Sequence, residues 1–140
     1  MSGPGPRLVA YIDGASRGNP GPAAIGVVIQ HGQGRVLREI AEYLGETTNN
    51  VAEYRALLRA LAEAEALGAA ELVVLTDSEL LARQLQGQYR VRSAALTPLF
   101  GEAMARLRRF HRAAVRHVPR RRNAAADALA NRALDQARRP

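Results

Sequence analysis

Apolar and polar positions follow two rhythms along this chain. Leu8-Val9-Ala10-Tyr11-Ile12 is a continuous apolar run stopped by the turn formers from Gly14 to Pro22, the form of a buried strand leading into a loop. Ala24 to Ile29 predicts a second strand, Gly32-Gln33-Gly34 a hairpin turn, and Val36 to Leu44 a third strand. Short turns between successive strands make these three an antiparallel meander. The rhythm then turns helical. Val51, Tyr54, Leu58 and Leu61 recur on one stripe, and Thr47-Thr48-Asn49-Asn50 supplies N-cap residues, so a helix is predicted as far as Leu67, with Gly68 ending it. Leu72 to Thr76 is apolar on both faces, as in a sheet interior. Ser78 caps a short helix to Leu85, Thr97-Pro98 opens another reaching His111, Ala113 to Val118 is a fifth strand, and Asn123 caps a last helix to Ala137.

This order predicts an α/β fold: a mixed five-stranded sheet, its first three strands antiparallel, flanked by helices. A length of 140 residues fits a single domain. That domain is expected over 7–137, with tails at 1–6 and 138–140. No internal repeat is visible.

Composition narrows the chemistry. There is no cysteine, which excludes disulfides and thiolate metal sites. No stretch reaches the roughly 18 apolar residues of a membrane span, and Met1 to Arg7 lacks an apolar signal core, so a cytoplasmic protein is expected. The net charge of +7 is unevenly spread. Residues 1–89 hold 7 Arg against 10 Asp/Glu, and residues 90–140 hold 13 Arg against 3. Every basic residue is Arg, the better bidentate phosphate donor. A basic lobe beside acidic groups suggests a polyanion gripped by one part and cut by another.

Four carboxylates stand where local structure can hold them. Asp13 follows the first apolar run, Glu53 lies near a helix start, Asp77 ends the fourth strand, and Asp127 heads the last helix. Each has an ordinary reading: a turn former, a solvated helix residue, a helix opener, a favourable charge at a helix N-terminus. Jointly they offer the negative oxygens that a pair of hard divalent cations needs for phosphodiester hydrolysis. No Ser/His/Asp arrangement and no phosphate-cradling Lys loop competes.

With these residues assembled, the chain resembles ribonuclease H, type one. YIDGASRGNPGPAAIG, TTNNVAEYRAL, LTDSELL and NAAADALAN are similar, in order and spacing, to that family's motifs from Arg7 to Ala137. The resemblance implies a ribonuclease H-like fold and cleavage of the RNA strand of an RNA–DNA hybrid, leaving 3′-hydroxyl and 5′-phosphate ends. It implies two Mg²⁺ or Mn²⁺ ions on Asp13, Glu53, Asp77 and Asp127. It also implies nucleic-acid contacts at Asn19, Thr48, Asn49 and Asn50, whose short polar groups suit a 2′-hydroxyl in the minor groove; capping is their alternative role. The segment Gln86 to Thr97 is short and lacks the Trp-bearing basic insertion of many bacterial members. Grip should then fall to Arg106, Arg108, Arg109, Arg112 and Arg120 to Arg122. His117 reads as the end of the fifth strand, so Arg120 is expected in the place of the family's product-release histidine, although it cannot shuttle a proton at neutral pH. The compact form resembles the archaeal-like branch, in which double-stranded RNA is a possible second substrate; the alternatives to hybrid cleavage are a same-fold nuclease acting on double-stranded RNA and a hybrid-binding module without catalysis. A monomer is expected.

Overall fold

The computed structural model describes residues 5–137. Its strands are β1 (Arg7–Ser16), β2 (Gly21–His31), β3 (Val36–Thr47), β4 (Glu71–Thr76) and β5 (Arg112–His117). Its helices are α1 (Asn49–Ala66), α2 (Glu79–Leu85), α3 (Thr97–Leu107) and α4 (Ala124–Ala137), with a single 3₁₀ turn at Arg120–Arg122. The strands lie in the order β3-β2-β1-β4-β5. β1 pairs antiparallel with β2, and β2 with β3, as the hairpin turns require. β4 joins β1 in parallel, and β5 joins β4 in parallel, because helical segments carry the chain back to the starting edge.

The sheet alternates its side chains between two layers. Leu8, Ala10 and Ile12 of β1 and Ile25, Val27 and Ile29 of β2 meet Tyr54, Leu57 and Leu61 of α1 in the main core. These three α1 side chains are at most 1% exposed, and burying each contributes about 1.5–3 kcal/mol. On the other face Ala24 packs with Ala133 and Leu134 of α4. Two glycines permit this closeness. A Cβ on Gly14 would run into the Ala52–Glu53 peptide of α1, and one on Gly26 would run into Ala126 of α4. Asp13 lies opposite Gly26 in the ladder, so Asp13 faces α4 while Gly14 faces α1. Among the described residues no helix is long and apolar enough to cross a membrane.

Some boundaries differ from the sequence reading. β1 does not stop at Ile12, because its ladder with β2 continues through Ser16↔Ala23. Its parallel pairing with β4 does stop there, at Ile12↔Thr76. Asp13 is therefore inside a strand, but at the end of the pairing with β4. α3 closes at Leu107 rather than His111, as the chain turns to bury Phe110 and to donate from Arg112 N to Ala70 O (3.3 Å). Asn123 precedes α4 but does not cap it through its side chain: Nδ2 donates to Ile12 O at 2.8 Å, while Oδ1 is buried without a protein partner. Of the expected tails, 1–4 and 138–140 lie outside the described residues. Pro6, expected in the N-terminal tail, is tied to the fold, its carbonyl accepting from Ala70 N at 3.0 Å.

Candidate active site

Asp13, Glu53 and Asp77 converge. One carboxylate oxygen from each lies within 4.8 Å of the others. The pairing of Ile12 with Thr76, the last of the β1–β4 ladder, brings Asp13 of β1 close to Asp77, the first residue past the end of β4. Glu53 arrives from α1, one turn past its N-terminus. Thr48 caps that helix, its Oγ1 accepting from Val51 N at 3.2 Å. Ser78 caps α2 in the same way, accepting from Leu81 N at 3.2 Å. With both caps filled by neighbours, neither Glu53 nor Asp77 is needed to open a helix.

Glu53 is only 5% exposed, and its Oε1 accepts from Gly14 N at 2.6 Å. The missing Cβ of Gly14 is what lets α1 come close enough for this bond. Asp13 is also 5% exposed, and its Oδ2 is buried with no protein hydrogen-bond partner. Burial, then the charges of Asp77 and Asp127 and a hydrogen bond with Asp127, push the Asp13 carboxyl from 3.8 up to about 8; the Arg120 cation opposes this. Burial and the Asp13 charge hold Glu53 well above the usual carboxylate range, against the Gly14 N–H, which favours the anion. An acidic cluster with an orphaned buried oxygen is a poor arrangement for protein alone and a good one for hard divalent cations.

Asp127, on the first turn of α4, stands near enough to Asp13 for its charge to raise that carboxyl, and it lies outside the Asp13–Glu53–Asp77 triple. Arg120 is exposed in the 3₁₀ turn, and its charge is felt by both Asp13 and Glu53. His117 is exposed at the end of β5, opposite Thr76, as expected for a strand residue. Asn19, Thr48, Asn49 and Asn50 gather where the β1–β2 turn meets α1. Asn19 Oδ1 accepts from Asn49 N at 3.0 Å, so Asn19 and Thr48 both have capping roles here. Asn50 is exposed and Asn49 half-buried.

Sequence reasoning passed over Gly14 as a positioning element, and over Asn131 and Arg17, and it gave Asn123 a capping role instead of its bond to Ile12 O. Asn131 follows Asp127 by four residues, a spacing that places both on one helix face. It was the one signal available. Asn123 and Arg17 reach their partners only through the tertiary fold.

The fold and site define a class: α/β domains with a mixed five-stranded sheet and an acidic cluster where its central parallel strands end. A family profile described as "Reverse transcriptase-like" matches residues 11–133. A ribonuclease HI of Halobacterium salinarum is 44% identical over 133 residues, covering 95% of this chain and 67% of that protein. A bifunctional protein of Mycobacterium tuberculosis is 45% identical over 132 residues, covering 94% of this chain. The chain spans only 36% of that relative's length. The solved N-terminal RNase H domain from M. tuberculosis superposes with a TM-score of 0.92 at 44% identity, over 95% of this chain and 96% of that one. LC11-RNase H1, solved in complex with an RNA/DNA hybrid, gives a TM-score of 0.88 at 44% identity, over 93% and 98%. The chain belongs to the ribonuclease H, type one family.

Proposed function

We propose that this protein hydrolyses the RNA strand of RNA–DNA hybrids, using two divalent cations, Mg²⁺ or Mn²⁺, held by Asp13, Glu53, Asp77 and Asp127, and leaving 3′-hydroxyl and 5′-phosphate ends. The observation that carries the reading is the convergence of three carboxylates, two of them buried, one of which, Asp13, has an oxygen that no protein group satisfies. When bound, the cations supply charge stabilisation at the phosphoryl oxygens and an activated water. The chain's own residues orient and select. The Gly14 N–H fixes Glu53, and the strand pairing fixes Asp13 beside Asp77. Arg120 places a permanent cation near the cluster, suited to steadying a phosphate. Thr48, Asn49 and Asn50 at the start of α1, with Asn19 from the β1–β2 turn beside them, present amides and hydroxyls to a 2′-hydroxyl in the minor groove.

The hybrid is favoured as substrate because LC11-RNase H1, alike over nearly the whole chain, was solved with one. The reading takes the protein as a monomer working in the cytoplasm, with double-stranded RNA as a lesser substrate. The test offers labelled hybrid, duplex RNA and duplex DNA side by side with Mg²⁺ or Mn²⁺. Cleavage should fall on the RNA strand of the hybrid. Asp77→Asn should abolish it while leaving hybrid binding largely intact. Preference for duplex DNA, or undiminished cleavage by Asp77→Asn, would overturn the assignment.

A further inference from the structure

Asp127 is held differently from the other three carboxylates. Like Glu53 it comes from a helix, but its oxygen is held by a side chain of that same helix and not by a strand N–H. Asn131, one turn further along α4, grips it from behind: Nδ2 donates to Asp127 O at 3.0 Å and to Asp127 Oδ1 at 3.3 Å. On its other side Asn131 Oδ1 accepts from Arg17 Nη2 at 3.4 Å. The same guanidinium nitrogen donates to Asp135 Oδ1 at 2.7 Å. The amide's orientation follows from its neighbours. A guanidinium only donates, whereas a carboxylate and a carbonyl only accept, so Oδ1 faces Arg17 and Nδ2 faces Asp127. A carboxylate here would lose the donor, and a cation or apolar group would lose the acceptor.

Arg17 belongs to the turn between β1 and β2, where its N–H donates to Pro22 O at 2.8 Å. The same turn carries Asn19, which accepts from the first residue of α1. One turn is thus tied to α4, which bears Asp127, and to α1, which bears Glu53.

We propose that Asn131 is a positioning residue for Asp127, itself held by Arg17, and that it sets the affinity of the acidic cluster for its divalent cations. By engaging Oδ1, Asn131 restricts rotation of the carboxyl and leaves the second oxygen for the cluster. This rests on the metal-dependent reading above. Partners of this kind, which orient a ligating group without touching the ion, typically change metal affinity 10–100-fold when removed.

The test is calorimetric titration of the full chain with Mn²⁺, alongside hybrid cleavage kinetics. Asn131→Leu keeps the volume and removes both hydrogen bonds. It should weaken Mn²⁺ binding by roughly tenfold or more and lower kcat at fixed Mn²⁺ while KM for hybrid stays near the wild-type value. Asn131→Gln, which retains donor and acceptor, should recover part of the loss. Arg17→Met leaves Asn131 in place and should give an intermediate loss; it also decides the matter if Asn131→Leu does not fold. A role in packing alone would lower Tm and leave Mn²⁺ affinity unmoved, and that result overturns the proposal. A wild-type protein that binds no Mn²⁺ defeats the metal-dependent reading itself, whereas wild-type binding matched by both Asn131→Leu and Arg17→Met defeats only this inference.

Discussion

Asp13→Asn should make the metal-free protein more stable, and increasingly so as pH rises. The Asp13 carboxyl is held at about 8 in the fold against 3.8 unperturbed. The folded state therefore binds this proton more tightly than the unfolded chain does. Its stabilising contribution is complete below about 3.8 and is lost as pH rises through about 8. At 1.36 kcal/mol per tenfold, the cost at pH 7 relative to an unperturbed acid is at most about 4 kcal/mol. Water entry and small shifts of Asp77 and Asp127 reduce this, so a net gain on the order of 1–3 kcal/mol is expected for the neutral isostere. The assay is urea unfolding in excess chelator at pH 5 and pH 8, with the m-value checked for constancy. The gain should be larger at pH 8. Adding Mn²⁺ should favour the wild type, since a ligand bound only by the folded state stabilises it. A variant that is equally or less stabilised at pH 8 than at pH 5 would refute the claim that crowding of buried carboxylates burdens the fold.

Two further outcomes follow from single contacts and a third from the charge distribution. Gly14→Ala should lower Tm sharply and reduce cleavage, because the added methyl meets backbone of α1 that cannot move without shifting Glu53; circular dichroism melting with a hybrid assay checks both. Tyr54→Phe removes the buried bond from Tyr54 Oη to Gln84 Oε1 (2.6 Å). Stranding that acceptor should cost about 1–3 kcal/mol in chemical denaturation, with kcat nearly unchanged. Hybrid affinity should fall with salt at a log–log slope of about −4 to −5 if roughly 4–6 phosphates are engaged; a flat dependence in a filter-binding titration would take the Arg-rich C-terminal third out of the grip.

The strands, the helices and the antiparallel meander were legible because each follows from local rules: apolar periodicity, turn residues, and caps such as Thr48 and Ser78. Element ends were less so. β1 outran its apolar run because the β2 ladder continued past Ile12. α3 fell short of its predicted end because Phe110 had a core to enter. The side chain of Asn123 went to a strand carbonyl instead of its own helix, a partner 111 residues away.

What the chain alone determined was the inventory of the site: four carboxylates on four separate elements, an excess of Arg in the last third, and short amides at the start of α1. Only the tertiary structure decided that three of those carboxylates share one space, that Asp127 stands beside them under the hold of Asn131, and that burial raises the proton affinity of two of the group. The reason is physical. Residue type and local spacing set what a segment can offer, but the proximity of charges from distant segments, and the water excluded around them, exist only once the sheet is assembled and the helices close over it.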